Sequence, residues 1–97
     1  MSGSAGRSYP LVLVIEDDPD IQRLVTRHLR DASFDVIVGG TAADGFMLFG
    51  ERTPDIVMVD LNLPDGSGLG LVRQIRSSSD VPIVVVTANT EERSLVD

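Results

Sequence analysis

Three carboxylates set the chemical question. Glu16 and Asp17 stand in "LVLVIEDDPD" (Leu11 to Asp20), directly behind five unbroken apolar residues, and Asp60 ends a second apolar run in "IVMVDLNLPDG". Acidic side chains at the ends of buried runs repel one another unless something positive joins them. A hard divalent cation meets that demand. Mg2+ takes oxygen ligands, uses one or two carboxylates, and keeps its other positions for water and phosphate oxygens. A carboxylate beside such an ion can also attack phosphorus and form an acyl phosphate, a role that suits Asp60. Thr87 ends a later apolar run, where its hydroxyl could donate to a phosphoryl oxygen and the small Ala88 leaves room for the group. Taken alone, Thr87 is as readily a structural residue, because β-branched side chains commonly end strands.

Several elements must bring these residues together. Apolar, β-branched runs at Leu11–Ile15, Phe34–Val38, Ile56–Val59 and Val81–Val86 predict four strands of a parallel sheet covered on both faces. The second run carries Asp35 and belongs at an edge. Between the first two runs, Ile21, Leu24, Val25, His28, Leu29 and Ala32 share one face of a helix, with Asp18 as its cap and Pro19 in its first turn. Thr41 and Asp44 resemble a capping box opening a second helix that buries Ala43, Phe46 and Met47. A third helix begins near Gly68 with Leu71, Val72 and Ile75 inward, and a fourth opens at Thr90. This βα alternation winds right-handed and binds ligands beyond the carboxyl ends of its strands. If the first and third strands are neighbours, their ends lie about 4.8 Å apart. Glu16, Asp17 and Asp60 then converge.

Composition narrows the class. The 97 residues suit one small domain, and 42% hydrophobic with 24% charged residues is ordinary for a globular protein. There is no cysteine, which fits a reducing compartment, and no apolar run approaches the roughly 18 residues of a membrane span. A cytoplasmic location is the default expectation. The formal charge of −7 argues against nucleic-acid or anionic-membrane binding by this segment. Residues 1–10 are small and polar and read as a flexible tail.

Other residues have plainer explanations. Asp18 reads as the helix cap only, Asp20 as favourable charge in the first turn, and His28 as a packed position on the helix face. The glycines at 66, 68 and 70 miss the dinucleotide fingerprint, because Leu71 stands where a glycine or alanine is needed. An EF-hand loop starting at Asp18 fails at Arg23 and Leu29. Hydrolases with an aspartyl nucleophile resemble one another in placing a general acid two residues on. Here that residue is Asn62, which has no proton to give usefully.

"VIEDDPDIQRLV", "PDIVMVDLNLPDGSGLGLVRQIR" and "VPIVVVTA" together resemble the first, third and fourth strand motifs of response-regulator receiver domains, the phosphorylated modules of two-component signalling. The resemblance runs from about Leu11 to Asp97. It implies an α/β, flavodoxin-like, doubly wound parallel sheet of strand order 2-1-3-4(-5). It implies Asp60 as phosphoacceptor, Asp17 and Asp60 as Mg2+ ligands with the backbone carbonyl of Asn62, an accessory or water-mediated role for Glu16, and Thr87 as switch hydroxyl. The implied donor is a phosphohistidine on a sensor histidine kinase, and the implied product is a switch state with no turnover substrate. An output domain, DNA-binding in many members, would lie beyond residue 97.

The chain departs from the family pattern in one respect. Receivers normally carry a fifth strand ending in a lysine that pairs with the phosphoryl group, followed by a fifth helix. All eight basic residues here are arginine, and the fourth helix pattern is interrupted at Asp97. The expectation is therefore a partial receiver, residues 11–97, cut from a longer protein. The alternative is a degenerate interaction module that keeps the fold and takes no phosphate. Either way the Val81–Val86 strand becomes an apolar edge beside a partly bare sheet face, which predicts self-association.

Overall fold

The computed structural model describes residues 9–86. Most of the expected tail, together with Thr87, Ala88 and the helix expected from Thr90, lies outside the described residues. The main sheet has four parallel strands: β1 (Leu11–Ile15), β2 (Asp35–Gly39), β3 (Ile56–Asp60) and, after a short hairpin, β6 (Ile83–Val86). Their spatial order is β2-β1-β3-β6, the flavodoxin-like order expected for the first four strands. β1 is buried throughout because it is central, with partners on both sides. β2 and β6 form the edges among the described residues. The placement of Asp35 on an edge strand agrees with its polarity.

Among the described residues three helices cover the sheet: α1 (Pro19–Asp31), α2 (Ala42–Arg52) and α3 (Gly68–Arg76). Leu13 and Ile15 of β1 and Val57 and Val59 of β3 point to one face, where they join Leu71 and Ile75 of α3 in a buried core. Leu48 and Phe49 of α2 pack against this core. The alternate residues of the strands face α1. There Ile21 and Val25, with Val14, Met58 and Val86, line a cavity of about 190 Å³. Among the described residues the α1 face of the sheet is the thinner one, and Val84 and Val86 of β6 are 45% and 37% exposed.

Two helix faces differ from expectation. On α2, Ala43, Phe46 and Met47 are exposed, while Ala42, Gly45, Leu48 and Phe49 turn inward. Gly45 explains the rotation. A Cβ there would lie 2.6 Å from the Ile15 side chain, so this position marks the line of closest approach to β1. Residues three and four away then face the core. On α1, Ile21, Val25 and Leu29 are half-buried, whereas Leu24, His28 and Ala32 are exposed. A single helix lying on the sheet buries one narrow stripe, and these three residues fall outside it. The packed position expected for His28 is therefore incorrect.

The hairpin between β3 and α3 carried no sequence signal as strand. It pairs β4 (Asn62–Leu63) antiparallel with β5 (Gly66–Ser67), turning through Pro64 and Asp65.

Candidate functional site

The site is built where the ladders of β1 and β3 run out. Beyond β1, the Glu16 amide donates to Gly39 O at 3.0 Å, extending the pairing with β2 by one residue. The Glu16 carbonyl accepts from the Gln22 side-chain amide, and its carboxylate accepts from the Asp18 amide at 3.0 Å. Both bonds tie the strand end to the start of α1. Asp18 caps that helix as expected, its Oδ1 accepting from the Asp20 amide at 2.8 Å. Asp20 forms an exposed ion pair with Arg23.

Asp60 is the last residue of β3 and stands level with Val86 of β6. Its Oδ1 accepts from the Asn62 amide at 3.2 Å. Behind it, the Gly68 amide donates to Leu61 O at 2.9 Å. A Cβ on Gly68 would collide with the Asp60 carbonyl oxygen and lie 2.9 Å from Leu61 Cα. Only glycine lets α3 start this close to the end of β3.

The result is a cluster of three carboxylates, Glu16, Asp17 and Asp60, with ligand oxygens all within 4.8 Å of one another. Glu16 and Asp60 are buried, 5% and 3% exposed, whereas Asp17 opens to solvent. Burial pushes the Glu16 carboxyl above its ordinary range, and the negative charges of Asp60 and Asp17 push it further. The hydrogen bond from the Asp18 amide only partly opposes this. The donor set suits a hard ion such as Mg2+. It is all oxygen, it is negatively charged, and it has one exposed member through which an ion and its waters can enter.

Three of the expected site residues are thus brought together, and Asn62 lies beside them, exposed, with its amide on Asp60. Thr87 and Ala88 lie outside the described residues. Sequence reasoning missed Asp65. Its carboxylate accepts from the Ala42 amide at 2.8 Å and the Ala43 amide at 3.1 Å, at the opening of α2. Those two bonds hold its carboxyl below the ordinary range. In "LPDGSG" it reads as a turn residue, and nothing local reveals its distant partners. Gly68 also went unremarked as a close approach.

The family model for the response regulator receiver domain matches residues 12–97. Among curated proteins, the chain is 38% identical over 85 residues to the DNA-binding response regulator MtrA of Mycolicibacterium smegmatis, covering 88% of this chain and 37% of that protein. It therefore spans well under half the length of that relative. Among solved structures, it is similar to a sensor protein from Polaromonas sp. JS666, with TM-score 0.79 and 40% identity over 91% of this chain and 73% of that one. It is also similar to the response regulator TrrA of Thermotoga maritima in complex with Mg(2+)-BeF, with TM-score 0.81 and 26% identity over 90% of this chain and 76% of that one.

Proposed function

The chain belongs to the response regulator receiver domain family, and from that premise we propose that Asp60 accepts a phosphoryl group from a phosphohistidine of a sensor histidine kinase. The observation that carries this reading is the convergence of Glu16, Asp17 and Asp60 within 4.8 Å at two neighbouring strand ends. Asp17 and Asp60, with the Asn62 carbonyl, would hold Mg2+, and Glu16 would act through water or as an accessory ligand. When bound, the ion offsets charge on the phosphoryl oxygens and among the carboxylates.

In the transfer, an Asp60 carboxylate oxygen bonds to phosphorus as the P–N bond of the donor breaks. The electron pair of that bond stays on the imidazole nitrogen. Asp60 is held for this by the Asn62 amide at one oxygen and by burial of its backbone between β1 and β6. Thr87 would donate its hydroxyl to a phosphoryl oxygen, with Ala88 leaving space. Asn62 supports acceptance without turnover, since an amide in that position supplies no proton to a leaving group.

The wider setting is proposed on the same footing. MtrA is named a DNA-binding response regulator, so an output domain that binds DNA is the natural partner of this module. Among the described residues no helix is long and apolar enough to cross a membrane, and a cytoplasmic site of action accords with a kinase partner. The exposed β6 edge favours self-association of the 97-residue chain. The second reading is an interaction module that keeps the receiver fold and does not take phosphate.

Intact-mass measurement after incubation with acetyl phosphate and Mg2+ separates these. Phosphoacceptor function gives a gain of one phosphoryl group that is lost in Asp60→Asn and in chelator. No gain at any Mg2+ concentration supports the interaction module. Continuous phosphate release over many turnovers would indicate a hydrolase.

A further inference from the structure

The hairpin that follows Asp60 is fastened at both ends. The Leu61 amide donates to Val86 O at 3.0 Å, and Gly68 closes back on Leu61. Between those ends Leu63 is buried in the core, and the exposed turn at Pro64 and Asp65 is tied to α2 by one side chain. Asp65 reaches across to α2, more than twenty residues earlier in the sequence, and takes the Ala42 and Ala43 amides with its two carboxylate oxygens. These are the first two amides of the helix, which lack partners within it. Thr41 takes the next, accepting from the Asp44 amide at 3.0 Å, and Gly45 begins the regular ladder with its bond to Thr41 O. The labour is divided. Thr41 is a cap from within α2, whereas Asp65 is a cap supplied by the phosphoacceptor loop.

That division has a geometric consequence. α2 is fixed to the central strand by the close approach of Gly45 to Ile15, the residue immediately before Glu16. Asp65 is fixed to α2. Asn62, three residues before Asp65, hydrogen-bonds to Asp60. A continuous chain of contacts therefore runs from the Glu16 strand end through α2 and Asp65 to the loop over Asp60. We propose that Asp65 is a positioning residue, a strap that sets the 61–67 loop against α2 and thereby places Asn62 for Mg2+ binding and phosphoryl acceptance at Asp60. This inference rests on the phosphoacceptor reading for its functional half. Its structural half, the placement of Asn62, does not depend on that reading.

The strap is of a kind expected to matter at range. A carboxylate taking two amides is a charge-assisted, two-point contact at the positive end of a helix, which fixes direction as well as distance. Groups that orient the residues around a metal typically alter affinity by about tenfold or more when removed.

The test compares Asp65→Ala, Asp65→Asn and Thr41→Ala in the 97-residue chain. Thr41→Ala removes a cap from the same helix end without touching the loop, and so controls for simple loss of helix stability. Three readouts are followed: amide hydrogen exchange, Mg2+ affinity by titration of amide resonances, and the phosphorylation rate with acetyl phosphate. Asp65→Ala is expected to speed exchange at Ala42, Ala43 and Asn62, and to lower Mg2+ affinity and phosphorylation rate roughly tenfold. Asp65→Asn, which keeps one acceptor oxygen, is expected to fall between Asp65→Ala and the unsubstituted chain. Thr41→Ala is expected to speed exchange at Asp44 while leaving Mg2+ affinity and rate within about twofold, below the positioning effect. Equal effects of Asp65→Ala and Thr41→Ala on Mg2+ affinity overturn the proposal. If the unsubstituted chain binds no Mg2+ and takes no phosphate, the phosphoacceptor reading fails, and the strap is judged on Asn62 exchange. Unchanged protection of Asn62 in Asp65→Ala then overturns it.

Discussion

Removing a charge from the acidic cluster should stabilise the protein when no cation is present. Asp17→Asn is the cleanest perturbation, because Asp17 is exposed and its replacement costs little packing. Its oxygen lies within 4.8 Å of those of Glu16 and Asp60. Two unit charges at that separation repel by about 3.5 kcal/mol at an effective dielectric of roughly 20, and by about 0.9 kcal/mol in bulk water. Asp17 faces solvent, so each neighbour contributes near the lower figure. A net gain of about 1 kcal/mol is expected at low salt, shrinking as ionic strength rises.

Mg2+ should reverse the order. A site-bound ion stabilises the folded chain by RT ln(1 + [Mg2+]/Kd), about 2.7 kcal/mol at roughly one hundred times Kd. The variant, short of a ligand, should gain far less. Urea unfolding of both proteins in chelator and in Mg2+ reads the four stabilities directly. The expected pattern is a crossover, with Asp17→Asn the more stable in chelator and the less stable in Mg2+. If Asp17→Asn is destabilised in chelator and Mg2+ shifts both proteins equally, the three carboxylates do not share one field or one ion.

Gly68→Ala should destabilise by at least about 2 kcal/mol in urea unfolding, since the obstructing atoms are backbone of β3 and its exit and cannot rotate away. Gly50→Ala, in α2 where an added Cβ meets nothing, should gain about 0.5–1 kcal/mol, and a loss there would show the packing of that helix to be misread. Asp65 is held below its ordinary range, so its contribution is present above that range and disappears as pH falls through the lowered value. Asp65→Asn should therefore flatten the acid limb of a stability–pH curve, and an unchanged limb would remove the strap from the account. Through the exposed β6 edge, the 97-residue chain should associate with itself at high concentration, and a sedimentation profile that stays monomeric would count against this.

Much of this architecture was legible because it depends on local signals. Runs rich in β-branched residues gave the four main strands, and the Asp18–Pro19 pair gave the start of α1. The strand-end carboxylates followed from sheet order, which brings the exits of β1 and β3 side by side. The helix faces were less legible. Phe46 and Met47 look like core residues by hydrophobicity, yet the contact line of α2 is set by its smallest residue, Gly45, because only there can the helix approach Ile15. Leu24 and His28 missed burial for a related reason. A helix that meets a sheet along one line buries a narrower stripe than its apolar positions suggest. The hairpin and the reach of Asp65 to α2 are contacts between distant segments, and no periodicity encodes them.

The cost of the acidic cluster is itself informative about function. A buried Glu16 and a buried Asp60 at neighbouring strand ends are poor choices for a stable sheet, since amides of the same shape would keep hydrogen bonds and shed the repulsion. The surrounding structure nevertheless fixes both in place: Gly68 lets α3 press on the backbone of Asp60, and the Asp18 amide holds the carboxylate of Glu16. A fold that spends backbone contacts on holding like charges together is prepared for a cation to enter. Its stability should therefore depend on Mg2+ most strongly where all three carboxylates are intact, and progressively less as each is replaced by its amide.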